Sequence, residues 1–401
     1  MSSRRVPAEP VTHSAVVAVL RIVLLSAVSG AMAGLSSFVF LIVLDRVTDT
    51  RNDHGWLLYF LPIAGFLLGA TYLRCDPRVR DGNATMLDAV RGGTNGVPLQ
   101  LAPMTLVGTW ATHLFGGSGG REGTAMQMSG ALTDTAARAL HCTYAERRML
   151  LHAATGGAFG AVFGVPFAGM AFGVEEPGRK GLGWRAIVPA GIAAFVGNAV
   201  VLALGYEHAK YRRVEVGFSL PIAMKLIVAA VAFGACAGVY VRLRSLVSWL
   251  SARMRRPALA TATGGLWIVI LALVFGREYL GLSVPLGRAA LVGGSMAGGV
   301  FLIKLVFTAV TSGSGFRAGE VTPLFIIGAT LGAAFAGPLN VDSKMLAALG
   351  FVAVFAAASK APLACAIMGV ELFGAGAAGA FLFVCVLARI ISGSRGIYPR
   401  A

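Results

Sequence analysis

Apolar stretches long enough, or nearly long enough, to cross a bilayer recur through this sequence, over residues 14–44, 56–73, 183–205, 217–241, 260–275, 289–310 and 376–391. Crossing about 30 Å of hydrocarbon takes roughly 20 helical residues, so a chain with this pattern folds as a polytopic membrane protein. The runs and the segments between them predict more than ten helices. Of 401 residues, 56% are hydrophobic and only 13% charged, against roughly 25% charged in an average soluble domain. Residues 1–13 are expected to form a cytoplasmic N-terminal segment. The apolar run behind them is too long for the core of a cleavable signal peptide.

A net charge of +16 invites a nucleic-acid reading. The basic residues are scattered over short loops, however, and membrane orientation explains them better. Arg4 and Arg5 before the first helix, and Arg242, Arg244, Arg253, Arg255 and Arg256 between two later ones, are expected on the cytoplasmic side. No nucleic-acid partner is expected. Five cysteines, an odd count without C-x-x-C spacing, read as packing residues and not as a disulfide framework or metal site. No glycine loop has nucleotide-binding spacing, so no cofactor and no metal is expected.

Glycine supplies 53 of the 401 residues, nearly twice the roughly 7% of average usage. Gly or Pro interrupts the chain at 92–98, 116–123, 156–166, 313–323 and 359–362. Broken helices at matching places in two halves point to a transporter's substrate site. The halves do echo each other. Pro166-Phe167-Ala168, followed by Gly173-Val174-Glu175, recurs as Pro362-Leu363-Ala364, followed by Gly369-Val370-Glu371. Ala161-Val162-Phe163 recurs as Ala353-Val354-Phe355, one helical turn further from its proline, and the glycine-rich run ending at Thr124 corresponds in order to the one ending at Pro323. The expected architecture is an all-α membrane protein of two inverted-topology repeats, about 14–210 and 215–401, with many tilted and broken helices. They form one transmembrane transport domain over 14–401, with no cytoplasmic regulatory domain after it.

One broken segment encloses a fully charged dipeptide. In Gly119-Gly120-Arg121-Glu122-Gly123-Thr124 the carboxylate of Glu122 lies among apolar residues. At membrane depth a carboxylate is expensive unless it faces a watery path or a partner, so Glu122 is a functional candidate. A helix starting at this point would aim N–H groups and a positive dipole end at the site, a geometry that binds anions.

Gly-Arg-Glu-Gly at 120–123, the Pro-x-Ala and Glu-Glu elements of 166–176 and the glycine-rich segment ending in Pro323 together resemble the CLC family of anion channels and proton-coupled anion antiporters. The resemblance covers roughly residues 15–400. Three motifs depart from the chloride-selective pattern: Thr94-Asn95-Gly96-Val97-Pro98 for Gly-Ser-Gly-Ile-Pro, Thr124 for the proline of Gly-Arg-Glu-Gly-Pro, and Gly319-Glu320-Val321-Thr322-Pro323 for Gly-x-Phe-x-Pro. These departures look like the fluoride-exporting CLC-F branch, although Val97 stands where some members of that branch have methionine. The resemblance implies Glu122 as the gating, proton-carrying glutamate, with Glu320 as a second carboxylate that helps hold it, together with Thr322. It implies an anion site of Asn95, Gly96, Val97, Gly123, Thr124, Thr322 and Tyr398. Glu175 and Glu176 match an acidic pair whose second member relays protons in chloride exchangers, which makes Glu176 a relay candidate.

Simpler readings stand beside these. Glu122 would be a loop carboxylate paired with Arg121, Asn95 a turn residue, Tyr398 an interfacial tyrosine, and Glu320 a helix N-terminal acid. Glu175 and Glu176 would face cytoplasmic water beside Arg179 and Lys180. Arg121 is assigned to structure. The resemblance implies a fluoride/proton antiporter, homodimeric, with one pathway per subunit, in a bacterial plasma membrane. The alternative is a chloride/proton exchanger or a passive chloride channel. An intramembrane serine hydrolase built on Ser118 with His113 or His152 lacks a third orienting residue.

Overall fold

A computed structural model describes residues 13–217, 219–294 and 296–398, except for the side chains of residues 13–15 and 179. Arg4, Arg5 and the rest of the N-terminal segment up to residue 12 lie outside them, as does the side chain of Arg179. Seventeen α-helices are present among the described residues. The first half holds α1 (His13–Asp53), α2 (Leu61–Leu73), α3 (Pro77–Asp81), α4 (Asn83–Arg91), α5 (Leu101–Leu114), α6 (Glu122–Ala139), α7 (Tyr144–Phe163), α8 (Pro166–Glu175) and α9 (Ile187–Ala203). The second holds α10 (Leu220–Arg253), α11 (Pro257–Phe275), α12 (Val284–Leu291), α13 (Val300–Gly313), α14 (Val321–Leu339), α15 (Ser343–Ser359), α16 (Pro362–Phe373) and α17 (Ala378–Ile391).

The fold is all-α and built for a membrane. Six helices or joined helical segments are long and apolar enough to span one. The others are shorter, and several stop and restart in the middle of the protein. One expected span is divided: the 289–310 stretch holds the end of α12 and the start of α13, separated by a turn that includes Gly293 and Gly294. Another is extended, because α10 continues through Arg242, Arg244 and Arg253, which were expected in the loop beyond it.

Packing partnerships in the first half recur in the second. Helix α7 packs on α1, α6, α8 and α9, and α15 packs on α10, α14, α16 and α17. In a bilayer, helices gain little from hiding hydrocarbon from hydrocarbon, so close backbone approach through small residues carries much of the association. Gly328 of α14 and Gly350 of α15 show how close this is. A Cβ on Gly328 would fall 2.0 Å from the Gly350 carbonyl oxygen, and one on Gly350 would fall 2.1 Å from the Gly328 carbonyl oxygen.

The halves meet head to tail. Glu371, near the end of α16, accepts the N–H groups of Phe167 (3.0 Å) and Ala168 (2.7 Å) at the start of α8. Glu175, at the end of α8, accepts those of Leu363 (3.2 Å) and Ala364 (2.8 Å) at the start of α16. Each repeat therefore caps the exposed N–H groups of the other's helix with a carboxylate, favourable both as hydrogen bonding and against the helix dipole. Reciprocal end-to-start capping requires α8 and α16 to run antiparallel, which is what inverted repeats produce. Glu175 is thus occupied at this helix start and does not simply face water.

The register of the duplication is also visible in the core. Phe355 stands as far before Pro362 as Phe159 does before Pro166, and the two rings stack on one another at 6.3 Å with 14° between their planes. These are the equivalent residues. The Ala-Val-Phe echo seen in the sequence is one turn out of register, because Phe163 ends its helix whereas Phe355 lies within α15.

Removing either cap exposes two N–H groups. Glu371→Ala and Glu175→Ala are each expected to cost about 1–2 kcal/mol, read as a lower unfolding midpoint in detergent, with Glu→Gln costing less. An unchanged midpoint for both alanine variants would contradict reciprocal capping.

Candidate functional site

The glycine-rich run before α6 and its counterpart before α14 lie side by side. Gly120 and Gly319 exchange backbone hydrogen bonds, Gly120 N–H to Gly319 O at 2.5 Å and the reverse at 2.9 Å. This brings the N-termini of two broken helices, one from each repeat, to a common point. Glu122 is the first residue of α6, and its carboxylate crosses to α14. Oε1 accepts the Val321 N–H at 2.6 Å. Oε2 accepts the Arg121 N–H at 3.1 Å, with longer contacts to the Thr322 N–H (3.4 Å) and hydroxyl (3.5 Å).

Glu122 is 1% exposed and has no ion-pair partner among the described residues. Its negative charge faces N–H groups and helix dipole ends, with no cation in contact. The seat exists only because its floor is glycine. A Cβ at Gly319 would fall 2.2 Å from Oε1, and one at Gly120 would fall 2.9 Å from Oε2.

Cavities flank the seat. Glu122, Gly123, Glu320, Tyr398 and Asn83 line one of about 290 Å³. Thr322 and Arg121 line another of about 690 Å³, together with Lys210, Arg212, Arg213, Arg288 and Lys344. That wall is strongly basic despite Asp45 and Glu207, and concentrates anions at its mouth. Arg121 thus faces the basic cavity, with its guanidinium 5.5 Å from the centre of the Phe163 ring.

Several predicted site residues are brought together: Glu122, Gly123, Glu320, Thr322 and Tyr398. Glu320 has a partner that the sequence did not suggest. Its carboxylate forms an ion pair with Arg244 of α10. It therefore points to a cation and does not hold Glu122, which rests on Thr322 and the backbone of Val321 and Arg121. Glu176 is buried and shares a narrow gap with Tyr398, Asn83, Met126 and Thr155, so the reading that sets it in cytoplasmic water does not hold.

Four expected contacts are not made at the seat. Asn95 is exposed, and its carbonyl accepts from Arg78 Nη1 at 2.6 Å. Gly96 and Val97 lie beside Asp134, Arg138 and Arg147, and the Val97 N–H donates to Asp134 Oδ2 at 2.8 Å. Asp134 is twelve residues along α6 from Glu122, about 18 Å by helical rise. The 94–98 loop is thus tied by a buried carboxylate to the far part of α6. Thr124 is close in sequence, but its hydroxyl bonds the Thr109 hydroxyl of α5 at 2.6 Å and turns away.

The amide at the cavity belongs to Asn83, the first residue of α4, reached through Gly82 at φ 51. Its Oδ1 accepts from Gln127 Nε2 at 2.8 Å. That leaves its two N–H groups to donate, and a Cβ on Gly123 would lie only 3.1 Å from Nδ2. The Gly-Asn step opening a short helix was the available signal, outweighed by the more motif-like Thr-Asn-Gly-Val-Pro.

Lys304 of α13 was also missed. It is fully buried, and its three ammonium N–H groups are shared among four acceptors, Ser118 Oγ (2.9 Å), Ser283 Oγ (2.8 Å) and the carbonyls of Tyr279 (3.0 Å) and Gly281 (2.8 Å). It fastens the run that leads to Glu122 onto the other repeat. Ser118 also bonds Thr308 at 3.0 Å and, like Lys304, is 0% exposed. His113 bonds Thr109 O and Gly119 O, and His152 bonds Gly173 O and the Leu182 N–H. Neither histidine serves Ser118, so the serine-hydrolase arrangement is not formed.

Fold and site together define a duplicated membrane protein whose broken helices converge on one buried carboxylate. A family model described as voltage gated chloride channel matches residues 64–393, and the chain belongs to that family, the CLC proteins. It is 38% identical over 379 residues to a protein of Pseudomonas syringae pv. tomato named as a chloride/fluoride channel protein, covering 92% of this chain and 83% of that one. It is 26% identical over 395 residues to an H+/Cl− exchange transporter of Vibrio cholerae, covering 88% of this chain and 81% of the other. Among solved structures, a CLC-type fluoride/proton antiporter superposes with a TM-score of 0.92 at 31% identity, over 97% of this chain and 98% of that one. A slow cyanobacterial Cl−/H+ antiporter shares the fold, with a TM-score of 0.80 at 19% identity over 93% and 94% of the two chains.

Lys304→Ala leaves two buried carbonyls and two hydroxyls without this partner, each unmade bond worth about 1–3 kcal/mol. The expected result is a clear fall in the thermal midpoint of the purified protein. A midpoint within one degree of wild type would show that Lys304 does not anchor the run.

Proposed function

We propose that this protein is a secondary active transporter, a proton-coupled anion antiporter that exports fluoride in exchange for protons. The observation that carries the reading is the Glu122 seat: a carboxylate bound where N–H donors from two repeats converge. An anion and an ionised Glu122 compete for those donors. A protonated Glu122 loses its charge and its hold on them and leaves them to an anion, so proton uptake by this one group favours anion binding and couples the movements of the two ions. Among the described residues no full cation pairs with Glu122 at the seat, where it would trap the ion.

Fluoride is small and strongly hydrated, so a site that strips its water must return strong donors. Asn83 offers amide N–H groups, Thr322 a hydroxyl and Tyr398 a phenol. The similarity to the Pseudomonas chloride/fluoride protein and to the fluoride/proton antiporter structure supports fluoride as the ion. The similarity to H+/Cl− exchangers supports the second reading, chloride transport, which a matched chloride measurement separates. Glu176 and Tyr398, side by side beside Asn83, form a route for protons toward Glu122.

The Arg253–Arg256 turn sets the orientation. By the positive-inside rule it is cytoplasmic, and Arg317 and Gly315 line both a cavity at that turn and the Glu122–Tyr398 cavity. The Tyr398 cavity then faces the cytoplasm and the basic cavity faces outward. The plasma membrane of a bacterium is the proposed location. A homodimer is proposed through α8, α9, α16 and α17, where the equivalent residues Phe167 and Leu363 are 52% and 53% exposed.

Liposome efflux tests this, with a fluoride electrode and external pH recorded together and chloride run in parallel. Wild type is expected to release fluoride with protons moving the other way, and Glu122→Gln is expected to abolish the proton movement. Asn83→Ala should slow fluoride at least tenfold, whereas Asn95→Ala should stay within twofold of wild type. Chloride efflux equal to or faster than fluoride would favour the second reading. Unchanged coupling in Glu122→Gln would overturn both.

A further inference from the structure

A separate cavity of about 400 Å³ opens between α2, the α10–α11 turn and the segment after α13. One wall is hydrocarbon, from Leu68 and Leu73 of α2 and Ala260 of α11, and the other carries Arg80, Arg255, Arg256 and Arg317. No acidic residue lines it, and none of the four arginines forms an ion pair among the described residues. The Nε atoms of Arg80 and Arg317 are buried without a hydrogen-bond partner. Arg317 is nevertheless held in place, with Nη1 donating to the Arg80 carbonyl at 2.8 Å and the guanidinium 4.1 Å from the centre of the Tyr72 ring. Arg255 adopts φ 51, in the left-handed region.

Four like charges around one cavity repel each other, and a buried donor without a partner costs about 1–3 kcal/mol. An anion completes such a site. Fluoride does not suit it, being far smaller than the space and ill served by an apolar wall. A phosphodiester matches guanidinium geometry, since its paired oxygens accept two N–H bonds from one arginine. The apolar wall suits an acyl chain. The Arg253–Arg256 turn places the arginines at the depth of the inner leaflet's headgroups, where basic pockets between helices recognise anionic lipid.

We propose that this cavity binds an anionic phospholipid of the inner leaflet, its phosphate among Arg80, Arg255, Arg256 and Arg317 and an acyl chain along Leu68 and Leu73. Because Arg317 also borders the Glu122–Tyr398 cavity, the bound headgroup offsets part of the positive charge facing the transport path. The site itself does not depend on which anion is carried.

Native mass spectrometry of delipidated protein tests the assignment, with added phosphatidylglycerol, phosphatidylcholine of the same chains, or phosphatidylglycerol plus inorganic phosphate. Wild type is expected to retain one phosphatidylglycerol per subunit, at least tenfold in preference to phosphatidylcholine. Arg255→Gln/Arg256→Gln, both on the exposed turn, should weaken that retention at least tenfold, whereas Arg185→Gln/Arg277→Gln elsewhere on the surface should not. Arg256→Gln alone should give a smaller loss of the same sign. Equal retention of the two lipids, or no loss in the turn variants, would overturn the proposal. Displacement of the lipid by an equal concentration of inorganic phosphate would make this a free-phosphate site and also overturn it.

Discussion

The buried charge of Glu122 is the constraint on which the rest of the structure depends. A carboxylate at this depth must be compensated, and here it is met by the backbone N–H groups of Arg121, Val321 and Thr322 at two helix starts. That choice has consequences. The two helices must stop in the middle of the protein, their leading runs must lie against each other, and the residues under the carboxylate must lack side chains. Gly120 and Gly319 meet the last demand, and their paired hydrogen bonds meet the second. A lysine or arginine in their place would hold a carboxylate more firmly and release an anion less readily.

Duplication makes this arrangement attainable. Two copies of one helical pattern, inverted and facing each other, bring one helix start from each half to the same point. The same symmetry appears in the Glu175 and Glu371 caps and in the stacked Phe159 and Phe355 rings. Symmetry stops at the chemistry. The first half contributes Glu122 and the Arg121 N–H to the seat, and the second contributes the Val321 and Thr322 N–H groups and the Thr322 hydroxyl. Glu320, which follows the bridging Gly319, is drawn off by Arg244. One carboxylate is thereby paired with a cation, while the other has no ion-pair partner among the described residues.

Much of this was legible in the sequence, and the misses have physical causes. Glycine runs interrupting apolar segments marked the broken helices, and the Arg121-Glu122 pair set between glycines in the first half marked the seat. The Pro-to-Glu echo marked the repeats. Asn95 is not at the cavity and Asn83 is, yet a Thr-Asn-Gly-Val-Pro turn and the Gly82-Asn83 helix start are the same local signal, a polar residue beside glycine. Only the tertiary tie from Val97 to Asp134 separates them. Arg244 was counted as a loop charge because apolar periodicity gives no sign that α10 outlasts the hydrocarbon and turns one arginine inward. Lys304 sits alone in an apolar run, and its four partners come from distant segments. No local pattern reveals such a site.

The central claim is that an anion and the charge of Glu122 compete for one set of donors. Calorimetric titration of fluoride into the purified protein, repeated in buffers of different ionisation enthalpy, measures the protons taken up on binding. Competition requires about one proton taken up per fluoride bound by wild type near neutral pH, and none by Glu122→Gln. Fluoride binding to wild type without net proton uptake would mean that anion and carboxylate occupy separate places, and the account would fail.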